Sequence, residues 1–296
     1  MKKSPAFFLV VLFFAASCSD SGKESAVPPQ SLVGTWELVS YSSDSSGGKE
    51  WKDHPSHILY QKHLTPTHFT WVSYQKGNDQ VVGMGGGTYT YDGKNYVESI
   101  EFFLPATSTI LGQNINFTAE FEDGKWHHTG FVKNHEFDVE SAETVATDSS
   151  RIEEIWRRVE GVSQNDTTLI GTWELVSYKE REGEPEMSYP GFVKYRKLIT
   201  PTHFAWVQYN EDGDYISGVG TGTYKYDGQT YTENIEMMHP RGSLLTGATI
   251  KFNSIINGNR WLHFAEKTMK GDQSIDSVYI DEQWRRFRIN SDISSF

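Results

Sequence analysis

Leu169-Ile170-Gly171-Thr172-Trp173-Glu174-Leu175-Val176-Ser177-Tyr178 repeats, almost residue for residue, Leu32-Val33-Gly34-Thr35-Trp36-Glu37-Leu38-Val39-Ser40-Tyr41. Thr65-Pro66-Thr67-His68-Phe69 recurs in the same way as Thr200-Pro201-Thr202-His203-Phe204. The tryptophans stand 137 residues apart (173 − 36) and the histidines 135 (203 − 68), so two residues of length change separate the matches. A repeat of that length is a whole domain, well beyond the period of about 20–50 residues that marks a solenoid. The 296 residues therefore read as a tandem duplication.

Each copy is built of short runs rich in Val, Ile, Thr, Tyr, Phe and Trp, broken by Gly, Asp, Asn and Pro, with no long helical periodicity. Strands are predicted near 35–42, 57–63, 67–75, 80–91, 95–104, 114–122, 126–133 and 151–159. The second copy repeats them near 172–179, 192–198, 202–209, 215–226, 230–238, 249–256, 261–267 and 277–287. Asp92-Gly93, Asp123-Gly124 and Asp227-Gly228 are tight-hairpin signals, since a type I′ turn needs positive φ at both central residues. Sequential, short-linked strands suit an up-and-down barrel, which leaves no open edge. The predicted fold class is all-β, two tandem eight-stranded up-and-down barrels, with a sandwich as the alternative.

The chain opens Met1-Lys2-Lys3 and continues as an apolar run, 6–16, too short for a membrane span of about 20 residues. It reads as a signal peptide, 1–17, ending at Ala15-Ala16-Ser17-Cys18, with Cys18 the sole cysteine. This end resembles the lipobox of bacterial lipoproteins, which implies cleavage before Cys18, lipidation of that residue and a membrane partner reached through its acyl chains. The opening Cys18-Ser19-Asp20 resembles acidic tags that send some lipoproteins to the outer face of the outer membrane, so an outer-membrane, cell-envelope location is expected, on either leaflet. Loss of Lys2 and Lys3 takes the formal charge from −12 to −14, which excludes nucleic acid and anionic lipid surfaces as natural partners. The expected order is signal peptide 1–17, lipidated cysteine and tether 18–30, first barrel 31–160, link 161–168, second barrel 169–290 and tail 291–296.

Gly34-Thr35-Trp36 and Gly171-Thr172-Trp173, each opening a first strand, resemble the Gly-x-Trp signature of lipocalins. The closing strands carry Trp156-Arg157-Arg158 and Trp284-Arg285-Arg286. In lipocalins a late arginine stacks over the first tryptophan, so the resemblance implies a barrel floor made by Trp36 with Arg157 or Arg158 and by Trp173 with Arg285 or Arg286. Both copies are similar to lipocalin-like domains of bacterial lipoproteins that have no assigned activity. Two lipocalin features are missing: a disulfide, and a helix after the last strand.

Strand alternation allows the faces to be compared. On the fifth strand Tyr96, Glu98, Ile100 and Phe102, with Tyr231, Glu233, Ile235 and Met237, form the more apolar face, which should point inward and carry Glu98 and Glu233 into the lumens. Such a carboxylate must be paired, hydrated or protonated. Candidate partners, and candidate ligand contacts, are His68, Tyr89 and His128 in the first copy and His203, Tyr224 and His263 in the second. Tyr89 and Tyr224 continue faces of alternate glycines, Gly83-Gly85-Gly87 and Gly218-Gly220-Gly222. These glycines mark either a bend covered by a neighbouring aromatic or lumen emptied for a ligand. Trp71, Tyr74, Trp206 and Tyr209 alternate ambiguously between core packing and an aromatic rim.

Two histidines and a carboxylate per copy form a known metal-ligand combination. They come from three separate strands without short ligand spacing, so no metal and no other cofactor is expected. No Ser-His-Asp or Cys-His set is legible, and the chain leans away from catalysis. The leading expectation is a lipid-anchored protein holding a small apolar or amphipathic molecule in its barrels. The alternative is a non-catalytic interaction or assembly module of an outer-membrane complex with filled barrels, its protein partner unknown. A third reading is an enzyme using Glu98 and Glu233 with His68 and His203 as acid and base. The loops 43–55 and 180–190 differ most between copies and would set any difference in preference.

Overall fold

The computed structural model describes residues 31–288 apart from 46–47, 79, 106–109, 139–142, 163, 165, 241–242 and 276–278. The signal segment, Cys18, the tether to residue 30 and the tail 291–296 lie outside the described residues. Among the described residues the regular structure is all β. In the first copy the strands are β1 (Gly34–Ser45), β2 (Gly48–Asp53), β3 (Ile58–Leu64), β4 (His68–Gln75), β5 (Val81–Tyr91), β6 (Asn95–Leu104), β7 (Asn114–Glu122), β8 (Lys125–Asp138) and β9 (Glu143–Arg158). The second copy has β10 (Gly171–Lys179), β11 (Met187–Ser188), β12 (Val193–Ile199), β13 (His203–Asn210), β14 (Ile216–Tyr226), β15 (Thr230–His239), β16 (Thr249–Asn257), β17 (Arg260–Lys270), β18 (Gln273–Ser274) and β19 (Asp281–Arg286).

Each copy closes into an eight-stranded antiparallel barrel. In the first, β3 to β9 follow one another in chain order and β9 returns to β1, pairing Trp36 with Arg158 and Leu38 with Trp156. In the second, β19 returns to β10 with the corresponding pairs Trp173–Arg286 and Leu175–Trp284. Closure leaves the barrel strands without a free edge. Several predicted boundaries are corrected, among them 180–190, expected as a loop, which contains β11 paired to β10, and the last strand, which begins at Asp281. The segment 43–55, expected as a loop, contains β2 paired to a lengthened β1 from Ser40–Asp53 to Ser45–Gly48. The final hairpin, expected to end at 133 and resume at 151, stays paired to Asp138–Glu143. Two hairpin strands can continue their ladder past the barrel wall with no inward face to bury, so apolar alternation does not report them.

A larger correction concerns β6. Gly87 faces Ile100 and Gly86 faces Phe102, leaving Glu101 as an extra residue; Glu236 is its counterpart in β15. A bulge of one residue exchanges the two faces of a strand. Phe102 and Met237, expected inside, therefore point outward. Phe103 turns in against Trp71 at 5.5 Å, and Met238 packs on the second core. The bulge needs glycine opposite it: a Cβ on Gly87 would lie 2.0 Å from the Ser99 carbonyl oxygen, and on Gly222 2.0 Å from that of Asn234. The other glycines on this face are covered by an aromatic, since a Cβ on Gly83 or Gly218 would lie 3.4 or 3.1 Å from the ring of Trp71 or Trp206.

The outward residues meet between the barrels. Val72, Tyr74, Met84 and Phe102 of the first pack against Val207, Tyr209, Ile216, Val219 and Met237 of the second. The contact is nearly two-fold symmetric: Thr35 Oγ1 lies 3.0 Å from Thr200 Oγ1, and Thr65 Oγ1 lies 2.7 Å from Thr172 Oγ1, the same pair with the copies exchanged. Symmetry is broken at Arg196, which pairs with Glu101, whereas the corresponding position in the first copy is Gln61.

Candidate functional site

The floor of each barrel explains the Gly-x-Trp spacing. Trp36 is fully buried, donates from Nε1 to the Leu32 carbonyl at 2.8 Å, and carries the Arg158 guanidinium 4.2 Å above its ring. Arg158 also donates to the carbonyls of Val33 and Ser31, each at 2.7 Å. Gly34 has φ +147°, and a Cβ there would lie 2.2 Å from Arg158 Nη1, so the arginine can reach the floor only past a glycine. Trp173, Arg286 and Gly171 repeat the arrangement, again with 4.2 Å between guanidinium and ring. Arg157 and Arg285 point outward to Glu37 and Glu174, at 3.0 and 2.9 Å.

Above the floor lies a buried ion pair. Lys62, on the inward face of β3, places Nζ 2.7 Å from Glu98 Oε1, which also accepts from Tyr96 OH at 2.9 Å. Lys62 and Glu98 are only 3% and 4% exposed, so neither charge would be stable there alone. The ammonium is further enclosed by the rings of Trp156, Trp126, Tyr96 and Phe69, 5.0–5.8 Å away. Lys197, Glu233 and Tyr231 reproduce the set, with both bonds at 2.9 Å.

A second polar group sits beside the first. His128 Nδ1 lies 3.1 Å from Glu154 Oε2, which accepts from Trp156 Nε1 at 3.0 Å; His263, Glu282 and Trp284 correspond. Burial, reinforced by Lys62, lowers the pKa of His128, and burial with Lys197 lowers that of His263. Burial pushes the Glu154 carboxyl up, but His128, Lys62 and Trp156 outweigh it and hold it below the usual carboxylate range. Glu282 is held down in the same way.

The predicted site residues thus divide. Glu98, His128, Glu233 and His263 line the interiors. Tyr89 and Tyr224 lend their rings to the cores, while their hydroxyls donate to the carbonyls of Thr65 and Thr200 at 2.6 and 2.8 Å, bracing the Thr-Pro-Thr turns. His68 and His203 lie between the barrels. His68 bonds Thr67 Oγ1 at 2.7 Å and meets the Phe287 ring edge-on at 4.4 Å; His203 bonds Thr202 Oγ1 and lies 6.2 Å from the ring of His63. The set of two histidines and a glutamate is not assembled, and Glu98 is paired with Lys62 rather than His68. Among the described residues no group of three His, Asp or Glu side chains could hold a metal. Lys62, Glu154 and their counterparts escaped the sequence reading. Their signal was present in Tyr60-Gln61-Lys62 and Tyr195-Arg196-Lys197, where the lysine keeps the inward register of the tyrosine.

Space remains in the first barrel. A cavity of about 190 Å³ lies between Lys62, Glu98, Phe117 and His128. At Tyr60, Ile152 and Glu154 it meets a larger one of about 430 Å³ at the barrel mouth, walled by Leu38, Tyr41, Ile58 and Ile152.

No protein family and no curated protein matches this sequence. Among solved structures, the uncharacterized protein YLR301w from Saccharomyces cerevisiae is similar at 10% identity, over 86% of this chain and 97% of that one, with a TM-score of 0.41. Two mutants of the vaccine antigen transferrin binding protein B from Haemophilus parasuis align at 7% and 9% identity, over 86% and 87% of this chain and 76% of theirs, both with a TM-score of 0.22. These likenesses are too loose to carry an argument. The class of the protein, two fused eight-stranded antiparallel closed β-barrels, each floored by a tryptophan under an arginine, rests on its own geometry.

Proposed function

We propose that this chain is a non-catalytic binding module of the cell envelope, tethered through a lipid on Cys18 and acting chiefly through the outer surface of its paired barrels. The observation that carries the reading is the way the inward polar groups are used: in both barrels they are enclosed by tryptophans and bonded to one another, lysine to glutamate and carboxylate to histidine, and the first barrel's lysine–glutamate pair borders an internal cavity of about 190 Å³. Charges spent on one another are poor acids, bases or nucleophiles, and nothing beside them supplies an activated hydroxyl or thiol. Photo-crosslinkers placed at the exposed Phe131, Phe192, Tyr215 and Ile255 of the full chain in intact envelopes test this. One adduct of defined mass and stoichiometry is expected; monomer alone at every position would overturn the proposal. Cys18→Ser should move the protein from the membrane to the soluble fraction.

A second reading, a carrier of a small apolar or amphipathic molecule, is favoured by the cavity at the mouth of the first barrel. Its volume, about 430 Å³, is within the range of ligand pockets. Saturable uptake of an apolar probe by the purified protein tests it.

A further inference from the structure

The two mouths are built from corresponding residues but filled differently: the second barrel keeps a cavity of about 440 Å³ at Trp206, Gln208, Gly218 and Met238, while its side between Tyr178 and Tyr195 is closed. In the second barrel Tyr189 lies across the opening, its ring 6.0 Å from Tyr178 and 5.9 Å from Tyr195, and its hydroxyl accepts from Gln208 Nε2 at 2.9 Å. The position corresponding to Tyr189 is His54, because the backbone nitrogen of each donates to the same place in the first strand, Val176 and Val39, at 2.8 Å. The walls are kept, as Tyr41 and Tyr60 correspond to Tyr178 and Tyr195. The plug is smaller, since Ser73 stands in place of Gln208 and His54 in place of Tyr189, its shorter ring meeting Tyr60 edge-on at 5.9 Å where Tyr189 meets both Tyr178 and Tyr195. The cavity of about 430 Å³ opens there, lined by Tyr41, Tyr60, His54 and Ser73.

We infer that the mouth of the first barrel is a binding site for an uncharged aromatic group of phenol size, and that Tyr189 occupies the corresponding site of the second barrel as a built-in ligand. The inference rests on the carrier reading and narrows it to one barrel and one chemical class. Three features set the class. Two tyrosine walls that accept a phenol ring in one copy present the same faces in the other, favouring tilted or edge-on ring contacts. His54 Nε2 is buried there without a hydrogen-bond partner, so a ligand hydroxyl has a group to meet. Arg151 pairs with Glu153, and Glu154 is bonded to both His128 and Trp156, so the polar groups of the walls are already engaged and ring contacts with one free imidazole nitrogen are what the site offers.

The experiment titrates the full chain with 4-ethylphenol and with the saturated 4-ethylcyclohexanol by calorimetry, following the ring resonances of Tyr41 and Tyr60 by NMR. One site per chain is expected, at least tenfold tighter for the aromatic probe, with both tyrosines shifted. The paired change His54→Tyr and Ser73→Gln should abolish binding. The reverse pair, Tyr189→His and Gln208→Ser, should raise the stoichiometry from one to two, so the inference stays exposed if the plugged variant does not fold. Equal or tighter binding of the saturated probe overturns the aromatic class and leaves the carrier reading standing. Binding that survives the plug or leaves the tyrosines unmoved overturns the location. Absence of binding by either probe at millimolar concentration removes both readings, while the crosslinking result is untouched.

Discussion

Lowering the pH from 7.5 to 5 should remove a large part of the protein's stability through three histidines at the contact between the barrels. Burial holds His63 at a pKa of about 3 with the nearby His203 adding to it, His68 at about 3 with Arg196 adding to it, and His203 at about 4, against 6.5 in the open chain. A depressed histidine is neutral in the folded protein and protonated in the unfolded chain, so stability is full above pH 6.5. It is lost as the pH falls towards the folded values of 3–4. At pH 5 the unfolded form of each histidine is favoured by about 1.5 pKa units, roughly 2 kcal/mol, or about 6 kcal/mol for three, comparable to the total stability of many domains. Urea denaturation at pH 7.5, 6 and 5, read by tryptophan fluorescence, measures it. His63→Leu installs the residue the second copy already has at Leu198 and sacrifices a 3.1 Å bond to Thr35. It should cost about 1 kcal/mol at pH 7.5 but narrow the gap between pH 7.5 and pH 5 by about 2 kcal/mol. A stability that does not change between those pH values, or a gap that His63→Leu leaves intact, would refute the reasoning.

Lys62→Met should destabilise by about 3–5 kcal/mol because it strands the buried Glu98 carboxylate, whereas Lys62→Met with Glu98→Leu should recover most of the loss; a single-variant cost below about 1 kcal/mol in urea would contradict the ion pair. Arg158→Ala removes a stacked cation and two bonds to carbonyls at the floor and should cost about 2 kcal/mol, while Arg157→Ala, which breaks only a surface pair, should stay within the error of the same measurement. Gly213→Ala puts a Cβ 1.9 Å from the Glu101 carbonyl oxygen across the barrel contact, on top of its φ of +77°. It should lower the midpoint of thermal denaturation well below that of Gly77→Ala, where φ is +87° but no atom lies within 4 Å.

The barrels were legible because their signals are local and doubled. Alternation and Asp-Gly turns needed no knowledge of what lies across the fold, and the match of Gly-x-Trp with a terminal Trp-Arg-Arg came from the lipocalin resemblance. Reading β6 failed midway for an equally definite reason. Glu101 looks like any outward strand residue, and only the register against Gly86 and Gly87 reveals it as a bulge that turns Phe102 out and Phe103 in. His68 and His203 are candidate partners of the inward glutamates by sequence, but each lies on the outer side of its barrel against the other one, His68 on Phe287 and His203 beside His63. Lys62 was passed over because a lysine at an inward position contradicts the apolar pattern unless its partner, Glu98 three strands away, is known.

By itself the sequence determined the duplication and the eight-strand repeat, since strand period and turn chemistry act over a few residues, whereas the floor rested on the lipocalin resemblance and the choice of Arg158 and Arg286 over their neighbours on the structure. Which carboxylate meets which cation, which histidines lie between the barrels, and where each mouth keeps its cavity were decided only by tertiary structure. Those outcomes depend on strand register and on contacts made between distant parts of the chain. There, a tyrosine bonded to a glutamine closes one side of the second mouth, and a histidine and a serine border a cavity at the same place in the first.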